Sequence, residues 1–282
     1  MSGLKRTLNG FYRSYDFRER LLHDPIELPH RYGEPRDIEI AGFLASCFAY
    51  GKVELFKPVA EKLLSAMGES PSDFLHQFSL GRHARLFRGI QYRFNRNEDI
   101  LCLLFLLHTV LRKEGSLEAS FMKHCRDEDR DVGSALSGMI SDFLSINTAT
   151  VYGRNIRPAG LMQFFPSPER GSACKRQNLF LRWMVRDRDI DFGIWKHVPK
   201  NKLVIPLDTH IMRISLCLGF TRRRSADWKT AVEITEALRQ LDPEDPLKYD
   251  FALCHHGISG LCKGVSGDGC RECAFGRHRT AH

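Results

Sequence analysis

The chain has 282 residues, 43% hydrophobic, 10% aromatic and 27% charged, which suits one large domain or two small lobes and excludes a disordered chain. Lysine and arginine outnumber aspartate and glutamate by 42 to 34, and the net charge of +8 favours a polyanionic partner, nucleic acid above all. The longest apolar run, ILCLLFLL from Ile100, is far short of the ~20 residues of a membrane span, and the polar N-terminus lacks a secretory signal. The expectation is a cytoplasmic protein with no membrane partner.

Taken in chain order, apolar residues recur at three- and four-residue steps over 38–49 and 54–67, which predicts two amphipathic helices. Pro58 falls near the start of the second, where a first turn tolerates it. RHARLFRGIQYRFNRNED then interleaves Arg82, Arg85, Arg88, Arg93 and Arg96 with Phe87, Tyr92 and Phe94. Such a stretch either meets phosphates and stacks bases, or is a helix or turn with solvated arginines and a buried aromatic face. NEDILCLLFLLHTVLRKEG predicts a helix capped by Asn97 or Asp99 and stopped by Gly115, apolar on nearly every face and so central to a bundle. SLEASFMKHC and VGSALSGMISDFLSI continue the helical pattern. Between Asn147 and Ser172 proline, glycine and polar residues mark a long loop or inter-lobe passage.

Helical signals resume with KRQNLFLRWMVR, SADWKTAVEITEALRQL and DPLKYDFALCHHGI, where Asp242-Pro243 and Asp245-Pro246 read as cap-then-proline helix starts. Trp183 and Trp195 read as core. Asp187, Asp189 and Asp191 mimic the start of a calcium loop, but Phe192 at its sixth position and Val198 at its twelfth exclude one. Only short runs such as Lys202 to Ile205 suggest extended chain. The class is all-α, with two lobes.

The most informative stretch is IPLDTHIMRISLCLGF, from Ile205 to Phe220. Ile211, Ile214 and Leu218 share one helical face and Gly219 ends it, so Asp208 is the N-cap, its carboxylate accepting backbone N–H bonds. That position favours a charged oxygen. Upstream, in PERGSACKRQNLFLRWMVR, Gly171 precedes a helix whose first turn holds Lys175 and Arg176. Free N–H groups at such a helix start suit a phosphate, and the positive surroundings favour the neutral, nucleophilic lysine amine.

PLDTHIMRISLCLGF resembles the aspartate block of the helix-hairpin-helix DNA glycosylases of the endonuclease III superfamily, in which Val-Asp-Thr-His precedes a helix. Gly171-Ser-Ala-Cys-Lys175 resembles the hairpin that places a glycine four residues before the catalytic lysine, and His256-Gly257 resembles the end of a later helix. In texture the chain is nearest to the archaeal 8-oxoguanine DNA glycosylases. With GSLE at 115–118 and LRWMVR at 181–186 it also resembles an uncharacterised bacterial family related to them. One departure stands out: the usual Leu-Pro-Gly-x-Gly is here Glu-Arg-Gly171-Ser-Ala, without the second glycine.

The resemblance implies a two-lobed helical fold, with a bundle over 40–206 ending in a helix-hairpin-helix-like segment. The second lobe, 1–39 plus 207–282, carries the catalytic aspartate and the C-terminal cysteines. It implies a base-excision glycosylase and AP lyase acting as a monomer on double-stranded DNA and removing an oxidised purine. Lys175 would attack C1′ to form a Schiff base, and Asp208 would stabilise the oxocarbenium-like transition state and accept a proton. Gly171, Ser172, Arg176, Thr209 and His210 would contact DNA, and Tyr50 would fill the gap of the flipped base. Arg176 and Lys196 are the neighbouring basic groups to weigh against Lys175.

The chain has nine cysteines. Cys262-x7-Cys270-x2-Cys273 resembles the first three ligands of the superfamily's [4Fe–4S] cluster. Arg279 stands where the fourth would be, so Cys254, or His278 in a zinc site, is the remaining candidate ligand. No cofactor is required for the chemistry itself. Two other readings stay open: a monofunctional glycosylase in which Asp208 activates water, and a non-catalytic DNA-binding protein that retains the fold.

Overall fold

A computed structural model describes residues 2–260, 262, 273, 275 and 276. Among them every regular element is helical, and the β-type pairings are two isolated bridges, Tyr92 with Asn95 and Ser172 with Asp227. The all-α class read from the sequence is the class observed.

α1 (Ser2–Arg13) and α2 (Phe17–Leu21) lead into α3 (Pro35–Phe48), whose residues from Asp37 to Phe48 are all buried. Then come α4 (Val53–Ser65), α5 (Pro71–His76), α6 (Leu80–His83), α7 (Asn97–Glu114), α8 (Leu117–Met122) and α9 (Gly133–Ser145). Two carboxylates of α3 face inward because each caps another helix. Asp37 accepts from Ser70 Oγ (2.8 Å) and the Ser72 amide (2.9 Å) at the start of α5. Glu39 accepts from the Leu117 and Glu118 amides at 3.0 Å, capping α8, and from Trp195 Nε1 at 2.8 Å. Burial pushes the Glu39 carboxyl above its ordinary value against these three donors. α7 buries Ile100, Leu103, Leu104, Leu107 and Leu111, as its unbroken apolar pattern requires.

The segment 147–172 contains α10 (Ala149–Tyr152), α11 (Ala159–Met162) and a 3-10 turn at Pro168–Arg170, so it is a series of short turns rather than a plain loop. α12 (Lys175–Val185) lies along α3. Gly42 permits the approach, since a Cβ there would sit 2.9 Å from Met184 Cε, and the Phe43 and Phe180 rings meet edge to face at 5.4 Å. A largely irregular stretch leads to α13 (Thr209–Leu218), α14 (Trp228–Arg239) and α15 (Asp250–Ile258). The N-terminal helices pack against α15 and the residue before it: Phe17 stacks on Phe251 at 5.7 Å, Phe11 meets His256 at 5.4 Å, and Tyr249 donates to Asn9 Oδ1 at 2.8 Å. A continuous apolar core runs through all these helices, and Trp183 and Trp195 lie within it. No helix of the described residues is long and apolar enough to cross a membrane.

Three local readings change. Pro58 lies inside α4, beyond its first turn, so that helix gives up one internal N–H bond. The N-cap of α7 is Arg96; Asp99 sits at the third helical position and bonds back to the Arg96 amide at 2.9 Å, while Asn97 reaches the Phe87 and Ile90 carbonyls. Asp245 caps no helix, because its carboxylate is taken by Arg186, and α15 begins only at Asp250.

α13 and α15 approach closely at Gly257, where a Cβ would lie 2.7 Å from His210 Cβ. That atom belongs to the helix itself and cannot swing away. Gly257→Ala is therefore expected to destabilise the protein by about 1–3 kcal/mol through overpacking, read as a lowered urea midpoint. An unchanged midpoint would contradict the packing described.

Candidate active site

The chain enters α13 through a buried extended run, with Leu203, Val204, Ile205 and Leu207 in the core and the Ile205 amide donating to Thr235 Oγ1 at 3.0 Å. The apolar run thereby delivers Asp208 to a helix start with little freedom. Asp208 is in extended conformation, and its Oδ1 accepts from the His210 and Ile211 amides, both at 2.9 Å. Gly219 closes the helix at φ +73°, a left-handed position that suits glycine. Both ends of the sequence reading of this helix hold.

Asp208 Oδ2 remains for other work and accepts from the Cys254 thiol at 3.5 Å. Burial and the negative charges of Asp208 and Asp250 push that thiol well above its ordinary value, and Lys175 opposes them. Lys175 and Asp208, far apart in sequence, thus lie within electrostatic reach of one sulfur. Lys175 is the first residue of α12, half-buried, with its Nζ donating to the Ala49 carbonyl at 3.4 Å. The amides of Lys175, Arg176 and Gln177 have no acceptor among the described residues, and Cys174 before them is left-handed at φ +48°.

The expected DNA contacts divide. Gly171 and Ser172 do not offer their amides to a phosphate. The Gly171 amide donates to the Pro168 carbonyl at 2.8 Å and the Ser172 amide to Ser167 at 3.3 Å, while the Gly171 carbonyl accepts from Trp228 at 3.1 Å. The free donors lie three residues further on, in the first turn of α12. Arg176 is also corrected. It is 9% exposed, donates to the Cys47 carbonyl at 2.6 Å and to the Gln163 carbonyl, and covers the Tyr50 ring at 5.0 Å. Its guanidinium caps the end of α3 and is engaged with the protein's own carbonyls. Tyr50 is half-buried and gives its hydroxyl to Asn95 Oδ1 at 2.6 Å. Thr209 is exposed beside Asp208, whereas His210 packs over Gly257 and meets Arg213 Nη2 at 3.1 Å. Lys196 is exposed in the stretch between α12 and α13.

Of the expected metal ligands, Cys270 lies outside the described residues, as does His278. The other three do not converge. Cys254 turns to Asp208, Cys273 Sγ lies 3.5 Å from His256 Nε2, and Cys262 is buried. Among the described residues no group of three or more His, Cys, Asp or Glu side chains is placed to hold a metal. Among the described residues Cys254, Cys262 and Cys273 form no cradle of this kind.

A buried ionic network that the sequence reading missed ties the two helices of the site together. Arg182, 2% exposed on α12, donates to Asp250 Oδ2 at 2.5 Å and to Asp191 Oδ1 at 3.3 Å. Arg186, one turn on, meets both Asp245 oxygens, Asp189 at 3.2 Å and Asp191. The signal was Arg182 and Arg186, four apart in and just after the apolar second half of α12, followed at once by Asp-Arg-Asp-Ile-Asp. Close by, His255 meets Asp24 at 3.1 Å. Burial opposes ionisation of Asp24, yet His255 and the Ile26 amide outweigh it and hold the carboxyl below its ordinary value.

A family model described as "Protein of unknown function (DUF2400)" matches residues 24–259. The chain belongs to this family. The DUF2400 match takes in Lys175, Asp208, Asp250 and Cys254 and stops before Cys262, Cys270 and Cys273. No curated protein and no solved structure matches the chain.

Asp250 gives this DUF2400 site a pH signature. Burial pushes its carboxyl up to about 6, partly offset by Arg182, and its Oδ1 has no partner among the described residues. A carboxyl raised on folding binds its proton more tightly folded than unfolded, so its contribution favours the fold at low pH and is lost as pH rises towards about 6. Asp250→Asn removes that titration. The stability of wild type relative to the variant is expected to fall by up to about 3 kcal/mol between about pH 4 and pH 7 in urea unfolding. A pH-independent difference would contradict the assignment.

Proposed function

We propose that the protein is a DNA base-excision glycosylase with AP lyase activity, of helix-hairpin-helix type, that removes an oxidised purine of the 8-oxoguanine kind. The observation that carries this reading is the Asp208 carboxylate, one oxygen locked by two amides and the other on the Cys254 thiol, with the Lys175 amine within electrostatic reach of that thiol. An amine and an anchored carboxylate are the groups this chemistry needs. The base is first flipped from the duplex, since its glycosidic bond is out of reach inside the stack. Lys175, as neutral amine, attacks C1′. The glycosidic bond breaks, the base leaves with the electron pair and takes up a proton, and the positive charge on the sugar faces Asp208. Asp208 then accepts a proton from the attached nitrogen, the sugar ring opens to a Schiff base, and β-elimination expels the 3′ phosphate.

The surface around α12 supports a polyanionic substrate. Besides the free amides at its start, Arg170, Arg222, Arg224 and Lys229 are exposed, and none has a carboxylate partner among the described residues. Trp228 bonding to Gly171 brings the Arg222–Arg224 turn beside the turn that precedes α12. Such cations supply sequence-independent affinity for a phosphate backbone.

A panel of duplexes with single oxidised purines, assayed under single turnover, tests the reading. Wild type is expected to excise at least one lesion, with Asp208→Asn and Lys175→Gln each slower by about 10²-fold or more. Excision that survives Lys175→Gln but not Asp208→Asn would favour water activated by Asp208. Tight, salt-dependent DNA binding with no lesion processed by any form would leave a DNA-binding protein in place of an enzyme.

A further inference from the structure

Tyr92 and Asn95 exchange both backbone hydrogen bonds, at 3.0 and 2.8 Å, closing a four-residue turn with Arg93 and Phe94 at its tip. The turn is anchored from below. Asn95 is 1% exposed, donates to the Gly160 carbonyl at 2.7 Å and accepts the Tyr50 hydroxyl at 2.6 Å, and the Tyr92 hydroxyl donates to the Tyr50 carbonyl at 2.7 Å. Gly51 lets the hydroxyl in, because a Cβ there would stand 2.7 Å from it. The tip is strained, with Arg93 at φ +50°, a left-handed value uncommon outside glycine.

This well-fastened turn buries nothing with its tip. Phe94 is 61% exposed, and the Arg93 guanidinium carbon sits 5.7 Å from both the Phe94 and Tyr50 rings. A lone exposed apolar residue is ordinary; one displayed on a rigid, strained turn among unpaired cations is not. Arg82, Arg85, Arg88, Arg93 and Arg96 are all exposed, and none pairs with a carboxylate among the described residues. The same Tyr50 lies under Arg176 and follows Ala49, whose carbonyl takes Lys175 Nζ. The tip is therefore fixed relative to the candidate catalytic amine.

We infer that the Tyr92–Asn95 turn is a nucleic-acid contact in which Phe94 stacks on a base while Arg93 and its flanking arginines take backbone phosphates. A flat ring accepts any base, and cations beside it follow the strand. A membrane is the poorer fit, since a single ring on a tight turn lacks the apolar helix face that lies in a bilayer interface. The inference rests on the proposed function for its ligand, DNA, and not for its chemistry.

Fluorescence anisotropy with a duplex carrying an abasic-site analogue, over a range of salt, is the test, run on wild type, Phe94→Ala, Phe94→Trp, Arg93→Ala and Leu86→Ala. Leu86, 52% exposed, is the control for losing any exposed apolar side chain. Phe94→Ala is expected to weaken binding by roughly tenfold to hundredfold with the salt dependence unchanged, and Phe94→Trp to restore it. Arg93→Ala should lower the slope of log affinity against log salt by about 1, and Leu86→Ala should match wild type. Phe94→Ala binding like wild type would overturn the inference, as would a Phe94-dependent loss of sedimentation with phosphatidylserine vesicles alone. Lesion excision by wild type with Phe94→Ala binding unchanged would sink this inference and spare the glycosylase. The binding pattern above with no lesion excised would do the reverse.

Discussion

The architecture of the site depends on one buried contact, the hydrogen-bonded ion pair of Arg182 with Asp250. Arg182 lies two turns along the helix that begins with Lys175, and Asp250 lies one turn before Cys254, whose thiol meets Asp208. Arg182 thus ties α12 to α15, and α15 reaches the Asp208 carboxylate through the Cys254 thiol. Such a pair adds little net stability against a well-packed apolar substitute, but losing one partner leaves an uncompensated buried charge, at about 3–5 kcal/mol. What it supplies is placement. The helix that starts at Lys175 is thereby tied to the helix whose Cys254 contacts Asp208.

The same arrangement explains which parts of the site were legible in the sequence. Asp208 as N-cap and Gly219 as terminator follow from local rules that need no tertiary knowledge, and both hold. The long helices were legible for the same reason, their apolar residues falling on faces that a core could use. Arg176 was misread because adjacent basic residues look alike in sequence. Both reach carbonyls at the end of α3, but Arg176 is buried there under Tyr50 while Lys175 stays half-exposed, a difference that only the packed neighbours decide. The amides of Gly171 and Ser172 were misassigned because a glycine before a helix marks a turn without saying which donors that turn consumes.

Cys254 illustrates a further limit. Its spacing from Cys262 invites a metal reading, yet the helix turns its sulfur towards Asp208, and direction is not written in spacing. The buried arginines belong to the same class. Buried arginines such as Arg182 and Arg186 demand carboxylates, and Asp191 is close in sequence, but Asp245 and Asp250 are distant and become partners only in the folded chain. The short turns between α9 and α12 are likewise set by tertiary contacts, with Tyr152 bonding to Asp99 and Asn95 to Gly160.

The central claim is that the Lys175 amine is the nucleophile, and its covalent product tests it most directly. Borohydride reduction during reaction with an oxidised-purine duplex, followed by peptide mapping of the adduct, identifies the modified lysine. A single DNA-linked peptide bearing the adduct on Lys175, lost in Lys175→Gln, is the expected result. An adduct on Lys196 or another lysine, or excision proceeding with no adduct at all, would contradict it.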